Sequence, residues 1–211
     1  MRMPNTYNAI FRAWRARRHK IFLEKIRPTQ DQKMLDLGGT LATWQNYGQP
    51  VGEITCLNTT KPQIAVPDGL KLELVAGDAC DLGYGDASFD IVYSNSVIEH
   101  VGDFARQKLF AAEARRVGRR LWIQTPAQEC PFEPHYMAPF VHWLPENARR
   151  KILRWGTPWG WITKPDQQTV DLTIRSTQLL TKRQFASLFP DCQIYEEKLF
   201  GFIPKSYVAY R

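Results

Sequence analysis

The run KMLDLGGT, residues 33–40, ends an apolar stretch in a carboxylate and two glycines. Met34, Leu35 and Leu37 read as a buried strand with Asp36 at its carboxyl end, and Gly38 and Gly39 lack the Cβ that would hold a ligand away from the backbone. Turns of this kind hold nucleotide-like cofactors. In such a crevice the next strand should end in a polar group for a ribose about 20 residues on. Asn58, closing EITCLN, lies 22 residues past Asp36. A third strand ending in VAGDAC brings Asp78 and Ala79 to the same edge, and a fourth, FDIVYSNSVIEHV, brings Ser94 and Asn95. Four successive strand ends with small polar residues match the way open α/β sheets bind ligands, at their carboxyl edge.

The elements that must position these groups follow the same rhythm. Short apolar runs near 33–37, 51–57, 71–76, 89–93 and 119–125 predict strands, with helices between them. One helix is expected from Asp103, its N-cap, to Val117. Residues 126–168 break the alternation with prolines and with Phe132, Tyr136, Phe140, Trp143, Trp155, Trp159 and Trp161, and predict a lid or substrate wall. A strand at 169–175, a helix capped by Thr181 that turns Phe185, Leu188 and Phe189 inward, and strands near 193–199 and 205–210 are expected to complete the domain. The expected organisation is a basic helical arm over 1–30 and one domain over 31–211. In the arm, Ile10, Phe11, Trp14, Ile21 and Phe22 form an imperfect apolar stripe.

At 211 residues and 44% hydrophobic, the chain can bury one substantial core. No apolar run has the length of a signal peptide or membrane helix, so a cytoplasmic protein is expected, with peripheral membrane contact through the arm. Cys56, Cys80, Cys130 and Cys192 are scattered without CxxC pairing, which argues against a zinc site or a disulfide scaffold. The net charge of +7 has one source: residues 1–30 carry eight Arg and Lys against Glu24 alone, so the remaining 181 have no net charge. That arm has three readings, namely a solvated helix over the cofactor, a contact for an anionic membrane, and a nucleic-acid contact.

The combination LDLGGT, a polar residue after strand two, GDA and FDIVYSNSVIEHV resembles class I S-adenosylmethionine-dependent methyltransferases of the small-molecule type. The likeness covers residues 33–125, and LFGFIPKSYVAY resembles the last strands of the same domain. It implies a Rossmann-like, doubly wound α/β fold: seven mostly parallel strands, the last inserted antiparallel, with helices on both faces. By the resemblance, Asp36, Gly38, Gly39 and Thr40 surround the methionine part of S-adenosylmethionine, Asn58 its ribose, Asp78 and Ala79 its adenine, and Ser94 and Asn95 the sulfonium side. Leu41 and Ala42 stand where a third glycine is usual, and Asn58 where a carboxylate is usual.

Methyl transfer from a sulfonium needs an aligned acceptor and, for a hydroxyl, a base. The Asn/Asp-Pro-Pro-aromatic signature of amine methylation is absent after strand four, which favours oxygen, with carbon as the alternative, in a small-molecule, lipid or glycan acceptor. No carboxylate cluster suggests magnesium. His135, oriented by Glu133, is the candidate base and His142 the second, both in PFEPHYMAPFVHWLP, with Tyr136 a further candidate for bonding the acceptor. His100 reads equally as a structural hydrogen bond, and His19 as a solvated arm residue. A different class of function also fits: a non-catalytic module that binds S-adenosylmethionine or S-adenosylhomocysteine and is recruited by its arm. A nicotinamide dehydrogenase lacks its GxGxxG turn.

Overall fold

In the computed structural model the backbone is described from Asn5 and side chains from Arg12, both to Arg211. Arg2 of the expected arm lies outside the described residues, as do the side chains of Ile10 and Phe11. Helix α1 (Asn5–Ile26) leads to β1 (Lys33–Leu37), α2 (Leu41–Tyr47), β2 (Glu53–Asn58), β3 (Leu72–Ala76) and β4 (Phe89–Asn95). Then come α3 (Phe104–Val117), β5 (Gly118–Pro126), a short antiparallel pair β6 (Phe132–Glu133) and β7 (Ala138–Pro139), and helices α4 (Glu146–Trp155), α5 (Pro158–Thr163), α6 (Gln167–Arg175) and α7 (Lys182–Leu188). Strands β8 (Gln193–Leu199) and β9 (Ile203–Tyr210) end the chain.

Seven strands form one sheet in the order β3-β2-β1-β4-β5-β9-β8. The pairs β1–β2, β1–β4 and β2–β3 are parallel. Leu121 and Arg211 exchange both backbone hydrogen bonds, at 3.2 and 3.3 Å, the mark of an antiparallel pair, so the last strand runs against its neighbours beside β5. This is the expected Rossmann-like sheet.

The chain packs as two compact units. One comprises the chain through Asn95, with Glu113–Ile123 and Tyr210–Arg211; the other comprises Ser96–Ala112 and Gln124–Ala209. In the first, Met34, Leu35, Ile54, Ile91 and Val92 fill the sheet, and Phe22 of α1 meets Tyr93 and Trp122 edge-on at 5.1 and 5.5 Å. In the second, Tyr136, Ala138, Val141, Leu153, Val170 and Ile174 form one core cluster.

Two expectations are corrected. The run 169–175 is not a strand but lies within α6. Its alternation of Val170, Leu172 and Ile174 mimics a two-residue period, yet the Asp166 carboxylate caps the segment by accepting from the Thr169 N–H at 2.7 Å. Val170 and Ile174, four apart, face the core while Leu172 is 59% exposed, which is helical spacing. His19 is not solvated: it is buried, its ring stacks on Tyr47 at 4.8 Å, and burial lowers its pKa. The helix capped by Thr181 forms as α7 with a full capping box to Gln184.

Candidate active site

The parallel register explains how distant residues reach one edge. Leu37 pairs with Leu57 on one side and Ser94 on the other, and Asn58 pairs with Ala76, so β1 to β4 end level. Gly38, Asn58, Asp78 and Asn95 therefore line up along the carboxyl edge of the first unit. Gly38 takes a φ of 79° that favours glycine, and its N–H donates to the Leu57 carbonyl at 2.8 Å. A Cβ on Gly39 would fall inside the Asp36 carboxylate, so that position admits only glycine. Thr40 caps α2 by accepting from the Thr43 N–H at 3.3 Å.

Asp36 is buried beneath this turn, where the indole N–H of Trp44 donates to its Oδ2 at 2.8 Å. Burial pushes its pKa up to about 7 against the opposing effect of that bond. Asn58 donates from Nδ2 to the Gly39 carbonyl at 2.8 Å, bracing the turn and leaving its Oδ1 as an acceptor. Asp78 is exposed and accepts from the Cys80 N–H at 2.9 Å, with Ala79 half-buried beside it. Ser94 is fully buried and its hydroxyl donates to the Leu37 carbonyl at 3.0 Å, which locks β4 to β1. The Asn95 Oδ1 accepts from Arg18 Nη1 at 2.5 Å. Arg18 and Trp44 were not among the site residues the sequence marked, and His19 was read as solvated. Trp44, eight residues past Asp36, gives no motif, and the arm residues come near only through the fold.

The second unit holds a separate cluster. His135 Nδ1 donates to Glu133 Oε1 at 2.5 Å, and the other carboxylate oxygen accepts from the Tyr136 N–H at 2.7 Å, so Glu133 is fixed at both ends. Glu99, also buried, accepts from Thr125 Oγ1 at 3.1 Å, and His100 Nδ1 donates to the Ser176 carbonyl at 2.8 Å. The rings of His100 and His135 meet edge-on at 4.9 Å. Burial alone would lower the His135 pKa, but the Glu133 hydrogen bond, then the Glu133 and Glu99 charges, outweigh it and raise it. For His100 desolvation wins and the pKa falls. Ligand atoms of Glu99, His100 and His135 lie within 4.8 Å of one another, close enough to share a cation, and a proton on His135 answers the same two carboxylates. Glu99 was missed because a glutamate in a helical turn carries no signal of its own.

His142 stands apart from that pair. Its Nε2 donates to the Gln128 carbonyl at 3.0 Å, and burial lowers its pKa. It lines a cavity of about 90 Å³ with Gln128, Glu133, Tyr136, Arg149 and Thr177. Ser96 opens this unit at a φ of 58°, a left-handed conformation uncommon outside glycine, held by Gln124 through both its N–H and its hydroxyl.

Residues 35–121 match the family described as methyltransferase domain. The fold is shared with a Pyrococcus horikoshii protein at 16% identity, over 98% of this chain and 91% of that one, with a TM-score of 0.58. It is shared with Burkholderia thailandensis 1,6-didemethyltoxoflavin-N1-methyltransferase, crystallised with bound 1,6-didemethyltoxoflavin and S-adenosylhomocysteine, at 15% identity over 100% and 90% of the chains and a TM-score of 0.56. A Haloferax volcanii methyltransferase solved with the Trm112 activator matches at 14%, over 94% and 89%, with a TM-score of 0.57. No curated protein matches the sequence. Residues 35–121 thus resemble a methyltransferase domain, and the chain has the Rossmann-like fold of the methyltransferases it matches.

Proposed function

We propose that the protein methylates an oxygen of a small-molecule, lipid or glycan acceptor, with carbon as the alternative atom. The observation that carries this reading is the His135–Glu133 pair, an imidazole whose Nδ1 is held by a buried carboxylate so that Nε2 is left to take a proton.

A place for S-adenosylmethionine along this edge is supported by Gly39, packed so closely on Asp36 that it carries no side chain, and by the polar groups of graded exposure that follow. Gly38, Gly39 and Thr40 would hold the methionine part, with Asp36 acting from beneath the turn. Asn58 Oδ1 would accept a ribose hydroxyl, Asp78 and Ala79 would flank the adenine, and Asn95 would face the sulfonium side, with Ser94 behind it. When bound, the sulfonium supplies an electrophilic methyl group. For a hydroxyl acceptor, His135 Nε2 would take the proton that the oxygen gives up on methylation. Glu133 keeps that imidazole in the required tautomer and steadies the resulting charge. His142 and Tyr136 would shape the acceptor wall within 126–168. There the buried Arg149 Nε, which has no hydrogen-bond partner among the described residues, offers a donor to a polar acceptor.

Turnover is tested by release of S-adenosylhomocysteine with a panel of phenols, quinols and glycans. The expected result is release with at least one hydroxyl acceptor and a loss of about 10²-fold or more in His135→Ala. Unchanged turnover in that variant refutes the base assignment. The exposed cations Arg12, Arg15, Arg17 and Lys20 of α1 are proposed as a contact for an anionic membrane surface. Reversing Arg12, Arg15 and Arg17 to Glu should lower binding to anionic vesicles. A loss confined to RNA binding would assign the arm to nucleic acid instead.

A further inference from the structure

Helices α4 and α5 carry a surface outside the residues assigned above to methyl transfer. Trp155 is 71% exposed, Trp161 60% and Ile162 48%, although tryptophan is among the costliest side chains to leave in water. They are not on a slack loop. Thr157 caps α5 by accepting from the Gly160 N–H at 3.0 Å, and a Cβ on Gly160 would collide with the carbonyls of Leu153 and Arg154, so the two helices meet in a tight corner. The Trp161 indole donates to the Trp155 carbonyl at 2.5 Å, while Leu153 anchors α4 in the core beneath. The fold therefore holds both indoles outward.

The charge around them is mostly positive, with Glu146 and Asp166 at the two ends of the stretch. From Asn147 to Pro165 the chain carries five Arg and Lys and no acid. Arg150 is engaged by Asp171 in a bidentate pair at 2.8 and 2.6 Å, and Arg149 lines the internal cavity. Lys151, Arg154 and Lys164 make no ion pair among the described residues, and the Arg154 guanidinium lies over the Trp155 ring at 4.7 Å. Lys151 and Arg154 also border an open groove with Arg150, Trp155 and Gln167. Indoles with an apolar body and a polar edge, rimmed by unpaired cations, match the headgroup layer of an anionic bilayer, where tryptophan settles and each cation gains from the surface potential. A protein partner would have to supply acids for every cation and a socket for two indoles, whereas a lipid surface supplies both without shape matching. No described helix is long and apolar enough to cross a membrane, so the contact is with the surface.

We infer that Trp155, Trp161 and Ile162, with Lys151, Arg154 and Lys164, form a docking surface for an anionic lipid bilayer. The inference draws on none of the arm's residues and does not depend on the acceptor assignment.

The test is co-sedimentation of the full chain with vesicles of phosphatidylcholine alone or with one-third phosphatidylglycerol. Wild type, Trp155→Ser/Trp161→Ser and Lys151→Glu/Arg154→Glu are compared, the arm being intact in all three. Binding should require phosphatidylglycerol and weaken with salt. Charge reversal should lower it by about 25-fold or more, at about fivefold for each cation lost, and the tryptophan pair should lower it by about tenfold. All six positions are exposed or half-exposed, so thermal melting should be unchanged, and tryptophan emission of the wild type should shift to the blue with vesicles. Binding that persists undiminished in both variants, or no binding by the wild type, overturns the inference. So does a concentration-dependent dimer, seen without vesicles and lost in Trp155→Ser/Trp161→Ser, because the surface would then be covered by a second copy.

Discussion

Asp36 shows what a single residue exchanges for position. Holding a carboxyl beneath the glycine turn raises its pKa from an ordinary value near 3.8 to about 7, so the neutral form is the one the fold prefers. The linkage has a definite sign. A group whose folded pKa is raised contributes stability that is complete below its unfolded pKa and is lost as pH rises through the folded value. Asp36→Asn keeps an oxygen for the Trp44 indole and cannot ionise. It should therefore gain stability over wild type between pH 4 and 7, by at most about 4 kcal/mol for about three pH units, as chemical denaturation at several pH values would show. The same variant should bind S-adenosylmethionine more weakly if the charge steadies the turn. His135 gives the second prediction at this scale. Its base form is the neutral one, and Glu133 raises its pKa, so the activity profile should rise on the alkaline side of ordinary imidazole. Glu133→Gln should move that rise to lower pH while lowering the maximal rate, whereas a purely structural Glu133 would lower the rate and leave the midpoint in place.

Among the elements, the glycine turn and the cap of α7 were legible because local chemistry dictates them. Gly38 and Gly39 end an apolar run, and Thr181 with Gln184 is a complete capping box whose partners lie three residues apart. Thr181→Ala should cost about 1 kcal/mol and Thr181→Ser should restore most of it, measured by denaturant unfolding. Gly39→Ala should abolish cofactor binding while Gly48→Ala, also at a turn but with no atom near its absent Cβ, should not. The segment 169–175 was misread because its apolar residues alternate, and only the burial of Val170 and Ile174 with exposure of Leu172 separates helix from strand. The cluster around His135 was half legible. Glu133 and His135 are neighbours in sequence, but Glu99 and Ser176 join them through tertiary packing that no spacing reveals.

For the whole molecule, the seven-stranded order places the strand ends that the sequence marked one by one, at residues 36–40, 58, 78–79 and 94–95, on a single edge. The arm was read as a basic helix beside a domain over 31–211, and its Arg18, His19, Phe22 and Ile26 are buried in the first unit. Phe22→Ala should therefore cost about 3 kcal/mol or more in global stability, as expected of a core aromatic and not of a tether. The central claim is that this edge binds S-adenosylmethionine. Calorimetric titration of the full chain with S-adenosylmethionine tests it most directly. Saturable one-to-one binding is predicted, weakened in Asp78→Ala and lost in Gly39→Ala; no binding at millimolar cofactor, or equal binding by all three proteins, would contradict it.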